Sequence, residues 1–212
     1  MTQILPPKSI FRNKLILLGT PSLIVSGLIC VALLANITNA QVSTGITRLD
    51  VARLGSDNTL SKPADLDQWI HLGSNLGQGY SDTAFSEDNP GTFQIVEMEP
   101  SAYAYFKENG SYADGTMLAL SFWRSETKES PRLNGFSQGD MVNYEIHLID
   151  SSLNEAGRQF YIFDVDDREA APLNDQSGCV SCHLDEGGYQ STFTQFYPKM
   201  KSLLTEHGIA VD

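Results

Sequence analysis

Cys179 and Cys182 stand three residues apart, and His183 follows the second of them. Two thiols on one helical turn can reach the two vinyl groups at one edge of a porphyrin and form thioethers. The next imidazole then projects under the ring, where it can bind iron. Cys179-Val180-Ser181-Cys182-His183 thus has the attachment pattern of a single haem c, with both cysteines as covalent anchors and His183 as the iron ligand. At average residue usage, such a pattern arises by chance in on the order of one in a thousand chains of this length. Rival readings lack ligands or context. A structural zinc site wants four ligands, usually in two pairs, and no second cysteine pair exists. A thioredoxin-like pair would follow a strand of a βαβ unit, whereas Cys179 follows a polar loop. The second nitrogen of the ligating imidazole needs an acceptor to orient it, and the sequence does not reveal which. For the opposite axial position His71, His147, His207, Met98, Met117, Met141 and Met200 are available. None stands out, which leaves an open sixth position.

Export is the expected setting. Residues 1–40 begin with Lys8, Arg12 and Lys14, continue through an apolar stretch from Leu15 to Ile37, and end at Ala40. That order describes a secretory signal. The apolar stretch is also long enough to serve as a membrane anchor, and both readings stand. Cys30 lies inside it and is not preceded by the small residue a lipoprotein signal wants. Those forty residues hold three basic and no acidic side chains, so the remainder carries a formal charge of −15 where the whole chain carries −12. Such a surface repels nucleic acid and anionic lipid and attracts a basic redox partner. The two cysteines of the exported part are too few, and too close, for a disulfide framework.

The elements that must position this segment read as an α+β domain over residues 61–212, preceded by a polar linker over 41–60. Ser61 and Pro63 predict a helix whose apolar side carries Leu66, Trp69 and Ile70, ending near Gly73. Thr92 to Glu99 reads as a strand, and Pro100 to Asn109 as a helix stopped by Gly110. Further strands are predicted from Met117 to Arg124, Met141 to Asp150 and Gln159 to Val165, with a long loop over 125–139. Asn154 to Gly157 joins the last two strands as an antiparallel hairpin. Short helices are expected from Ser191 to Tyr197 and from Pro198 to His207.

Beyond the haem segment, the chain resembles the cytochrome P-460 family, which includes the β-sheet type of cytochrome c′. The likeness runs from Trp69 to Pro198. It rests on Trp69 with Leu72-Gly73, Glu99-Pro100 with Ala102-Tyr103 and Tyr105, Asp114-Gly115-Thr116, Gly139-Asp140, Phe160-Tyr161-Ile162-Phe163, and Phe193 with Gln195-Phe196-Tyr197-Pro198. The resemblance implies a mostly antiparallel sheet with flanking helices, a homodimer and a pentacoordinate haem c. In members that oxidise hydroxylamine, a lysine on the strand after the Asp-Gly-Thr turn is bonded to the haem. Its place falls on Leu120 here, which has no nucleophilic nitrogen; Arg124 and Lys128 are offset. The resemblance also implies a pocket carboxylate five residues after Gly139-Asp140, at Glu145, as a proton relay. Alternation alone sets Tyr144, Ile146 and Leu148 on one face and Asn143, Glu145 and His147 on the other, and a polar face ordinarily meets water. If Leu120 faces the haem, Leu118 and Phe122 point the same way and make the distal pocket apolar.

These readings point first to a periplasmic haem protein that binds a small neutral gas, nitric oxide or carbon monoxide. The alternatives are an enzyme that oxidises hydroxylamine or nitric oxide with Glu145 as proton acceptor, and a simple electron carrier with Met98 as second ligand.

Overall fold

The computed structural model describes residues 48–79, 90–127 and 134–211. The signal or anchor expected over 1–40, Lys128, and part of the loop expected over 125–139 lie outside these. Among the described residues no helix is long and apolar enough to cross a membrane.

Five strands form one antiparallel sheet in which each strand pairs with its neighbour in the chain: β2 (Ile70–Leu76), β3 (Thr92–Met98), β4 (Thr116–Thr127), β5 (Phe136–Ile149) and β6 (Arg158–Asp164). A two-stranded ribbon pairs β1 (Leu60–Ser61) with β7 (Glu169–Ala170). Helix α1 (Pro100–Asn109) lies between β3 and β4 in the chain, and α2 (Gly178–Glu186) and α3 (Pro198–Glu206) follow the sheet. The fold is therefore α+β with a mostly antiparallel sheet, as the sequence predicts.

Local signals place several elements. The Glu99 side chain accepts a hydrogen bond from the Ala102 amide at 2.8 Å, Pro100 occupies the first turn, and Gly110 at φ 67° closes α1. In the β5–β6 turn, the Asn154 side chain accepts from the Arg158 amide at 3.2 Å and donates to its carbonyl at 2.7 Å.

Three expectations need correction. The helix predicted after Pro63 shrinks to one 3-10 turn, Leu66–Gln68, and the chain then enters β2. Trp69 packs into one core and Ile70 against the other. Neighbours on opposite sides are the mark of a strand, and ladder pairing with β3 outweighs the local helix signal. The loop expected over 125–139 is shorter than predicted, because β4 runs on to Thr127 and β5 begins at Phe136, with Glu126 facing Ser137. Polar residues there satisfy the backbone ladder without needing a core. The helix expected from Ser191 to Tyr197 is only a 3-10 turn, Thr194–Phe196, after two residues at positive φ, Gln190 and Ser191.

Of the linker expected over 41–60, residues 48–60 are described. Val51, Ala52 and Leu54 pack on the core, and the Arg48 guanidinium pairs with Asp150.

The sheet separates two cores. On one face Tyr144, Ile146 and Leu148 of β5 meet Tyr161 and Phe163 of β6, with Leu60, Trp69 and Ala170 closing over them. On the other face Leu118 and Ile149 pack with Phe106 of α1 and Met200, Leu203 and Leu204 of α3. Glu145 and His147 alternate onto this second face.

Candidate functional site

Helix α2 begins where the Ser177 hydroxyl accepts from the Val180 amide at 3.4 Å. Buried Val180 fixes the helix to the domain. Residues 179, 182 and 183 then share one helical face by their spacing of three and four. Both thiols are free and half-buried.

Ser191 carbonyl lies 2.9 Å from His183 Nδ1. A carbonyl can only accept, so Nδ1 carries the proton and Nε2 keeps its lone pair. The close approach depends on Gly187, where a Cβ would stand 2.5 Å from the His183 carbonyl oxygen and 2.6 Å from Ser191 backbone. With no side chain there, the loop folds back onto the end of α2. Three rings hold the imidazole: His147 at 4.9 Å, Phe160 at 4.7 Å and Phe193 at 4.7 Å between centroids. Burial, partly offset by the Ser191 carbonyl, lowers the basicity of His183 and keeps it neutral, the form that binds metal.

His183 lines a pocket of about 620 Å³, its open mouth included. Strand register sets one wall as two rows across the sheet. Val96, Leu120 and Glu145 make the first row; Leu118, His147 and Phe160 make the second. All six line the pocket, and Thr192, Thr194, Tyr197 and Met200 face them. Tyr197 fits because β2 carries Gly73, where a Cβ would lie 2.3 Å from its ring. Two motifs far apart in the chain thereby meet at one contact.

Of the seven predicted site residues four share the pocket, and Cys179 and Cys182 stand outside its lining. Leu118, Leu120, Glu145 and His183 all line the pocket. Phe122 does not: it lies one row further along, between Gln94 and Asn143, and its place as a pocket wall is corrected. The pocket ends before that row. Met98, named as a second ligand, is fully buried in the second core and is not a lining residue; Met200 is. Glu145 does not sit on a solvated face. Burial raises its carboxyl pKa, and its charge in turn helps raise that of the Cys179 thiol, whose own burial is the larger cause.

Sequence reasoning did not single out Phe160, Phe193 or the Ser191 carbonyl as the setting of His183. Alternation along β6 was the available signal for Phe160; a backbone carbonyl has none. Nor did it single out His147, which is 6% exposed, with both ring nitrogens lacking a hydrogen-bond partner among the described residues. Burial, with the nearby charges of His183 and Arg158, pushes its pKa well below the usual value and keeps it neutral. Its ring lines the pocket, and both nitrogens are sealed from it.

Two thiols and a neutral imidazole on one helical face, the imidazole lining a largely apolar pocket, fit a haem. No curated protein matches the chain. The model of the Cytochrome P460 family matches residues 63–194, a span that holds both cysteines and His183, so the chain belongs to the cytochrome P460 family and is a haem-binding cytochrome.

Proposed function

We propose that the chain is an exported cytochrome with one covalently attached haem c, open at its distal iron position to a small neutral gas such as nitric oxide. Cys179 and Cys182 each add sulfur to one vinyl carbon and hydrogen to the other, which needs no external oxidant. His183 Nε2 is the iron ligand, and Ser191 fixes its tautomer. When bound, the haem supplies an iron centre for gas ligation and one-electron exchange. The observation that carries this reading is the wall of Val96, Leu118 and Leu120 beside His183. These side chains cannot repay an ion for its lost hydration, so they select neutral diatomics. The work of the protein is then binding, storing or sensing nitric oxide, as a homodimer that exchanges electrons with a basic partner.

Absorption spectra test it. Pyridine treatment should report one haem with two thioethers, and ferrous protein should change its spectrum on adding carbon monoxide. An unchanged spectrum with the gas sinks the open position.

Glu145 favours a second reading, oxidation of hydroxylamine or nitric oxide with the electrons passed to a partner protein. Its carboxylate is the acidic group of the pocket, and its raised pKa suits proton exchange with a bound ligand. Turnover with an added electron acceptor, lost in Glu145→Gln, would support this; turnover unaffected by the substitution removes the proposed proton acceptor. A simple electron carrier would need Met200 in place of Met98 as second ligand, and a methionine–iron absorption band near ~700 nm would mark it.

A further inference from the structure

Among the described residues, one cation beside the pocket has no counter-charge. Arg158 opens β6, and alternation sets it on the same face as Phe160 and Ile162. Its Nη1 donates to the Gln190 carbonyl at 2.7 Å and its Nε to the Ala156 carbonyl at 2.8 Å. Neither acceptor carries charge. In a chain with 26 acidic residues, the ion pair found among the described residues is Arg48 with Asp150. Arg158 is half-buried, and that burial pulls its pKa down. Arg158 reaches the site through the chain: its acceptor Gln190 precedes Ser191, whose carbonyl lies 2.9 Å from His183 Nδ1.

The rows of the sheet give this charge a direction. Glu145 pairs with Ile162, His147 with Phe160, and Ile149 with Arg158. At about 3.4 Å per residue, the Arg158 row lies roughly 13 Å from the Glu145 row. Helix α2 runs the same way: the Cys179 thiol feels the charge of Glu145, and the His183 ring packs on His147 and Phe160. Cys179 marks one end of the site, and Arg158 lies beyond the imidazole toward the other. A haem bonded through its vinyl edge carries its two propionates on the opposite edge.

We propose that Arg158, one row beyond His147 and Phe160, receives the propionate edge of the haem. A guanidinium fork matches a carboxylate, and its charge neutralises an anion that a partly buried site would otherwise repel. The pocket thereby fixes the haem at both edges, thioethers at one and charge at the other. This inference rests on attachment through Cys179 and Cys182.

Resonance Raman spectra and the midpoint potential of the haem-loaded full chain test it, in wild type, Arg158→Gln, Arg158→Lys and His147→Phe. In Arg158→Gln the propionate bending band should move to that of an unpaired carboxylate. The uncompensated negative charge should favour ferric iron about tenfold, a fall of about 59 mV for one electron. Lysine should restore the potential but not the fork, leaving the band shifted. Phenylalanine at 147 keeps the ring contact with Phe160 and should move the band less. A band unmoved in every variant that loads haem overturns the inference and leaves attachment standing. Wild-type protein that purifies with free thiols and no haem overturns both.

Discussion

The two faces of the five-stranded sheet are built from the same strands, and each buries a core, but they carry different groups. On one face Tyr144 stacks on Phe163 at 4.8 Å between centroids and 5° between planes, among Ile146, Leu148 and Tyr161. That face gains stability from apolar burial. The other face, one residue out of phase, buries Glu145 and His147 without hydrogen-bond partners for the imidazole. The first face also leaves Trp69 Nε1 and Tyr144 Oη without partners among the described residues, so what sets the second apart is a carboxyl group and an imidazole lining a pocket. Period-two alternation lets one ladder serve both ends, because each face is chosen independently of the other.

The largest effect should come from the site face. Cys179→Ala with Cys182→Ala should abolish covalent haem, so that extraction in acidic organic solvent strips all colour while the far-ultraviolet circular dichroism of the chain persists. Colour that resists extraction in this variant would show that the two thiols are not the anchors.

Next comes the core face. Phe163→Ala removes a fully buried ring and should cost about 3–5 kcal/mol in a denaturant titration. A loss below about 1 kcal/mol would mean that this face does not carry the stability assigned to it.

The Gly73→Ala substitution probes the seam where the chain closes the pocket. Its Cβ would overlap the Tyr197 ring, and overpacking of this kind costs about 1–3 kcal/mol. The melting curve and the carbon monoxide affinity should change together, since Tyr197 lines the pocket. Unchanged melting and affinity would mean that the ring moves aside freely.

The smallest effect is a pH dependence. Burial raises the Glu145 pKa above its ordinary 4.5, so the folded chain holds that proton more tightly than the unfolded chain. The contribution is full below about pH 4.5 and drains away as pH rises through the folded value. Wild type should therefore lose stability relative to Glu145→Gln as pH climbs through that window. Parallel curves for the two proteins would place Glu145 in solvent. His147 has the opposite sign: its lowered pKa gives a contribution that is full above about 6.5 and lost as pH falls below it. Glutamine at 145 leaves that second slope in place.

Much of the fold is legible locally. Glu99-Pro100 and Gly110 mark both ends of α1, and Asn154 to Gly157 marks the β5–β6 turn, because caps and turns are short-range hydrogen-bond arrangements. The segment after Pro63 misleads for the converse reason. Ser61, Pro63, Leu66 and Trp69 satisfy a helix pattern, but pairing of Ile70–Leu76 with β3 is a long-range reward that no local window contains. In the site, the haem segment is plain, and the inward turn of Glu145 is not. Asn143, Glu145 and His147 form a polar stripe, and polarity alone gives no way to tell a wet face from a lined pocket.

What the sequence determined by itself is the chemistry on α2: two thiols and an imidazole at fixed helical spacing, since three and four residues define one face whatever the helix packs against. What only the tertiary structure decided is everything that tunes this chemistry. The acceptor for His183 is the carbonyl of Ser191, and its rings come from β5, β6 and the loop before α3. A carbonyl is common to every residue and an aromatic ring to many, so only the folded path of the chain can choose among them.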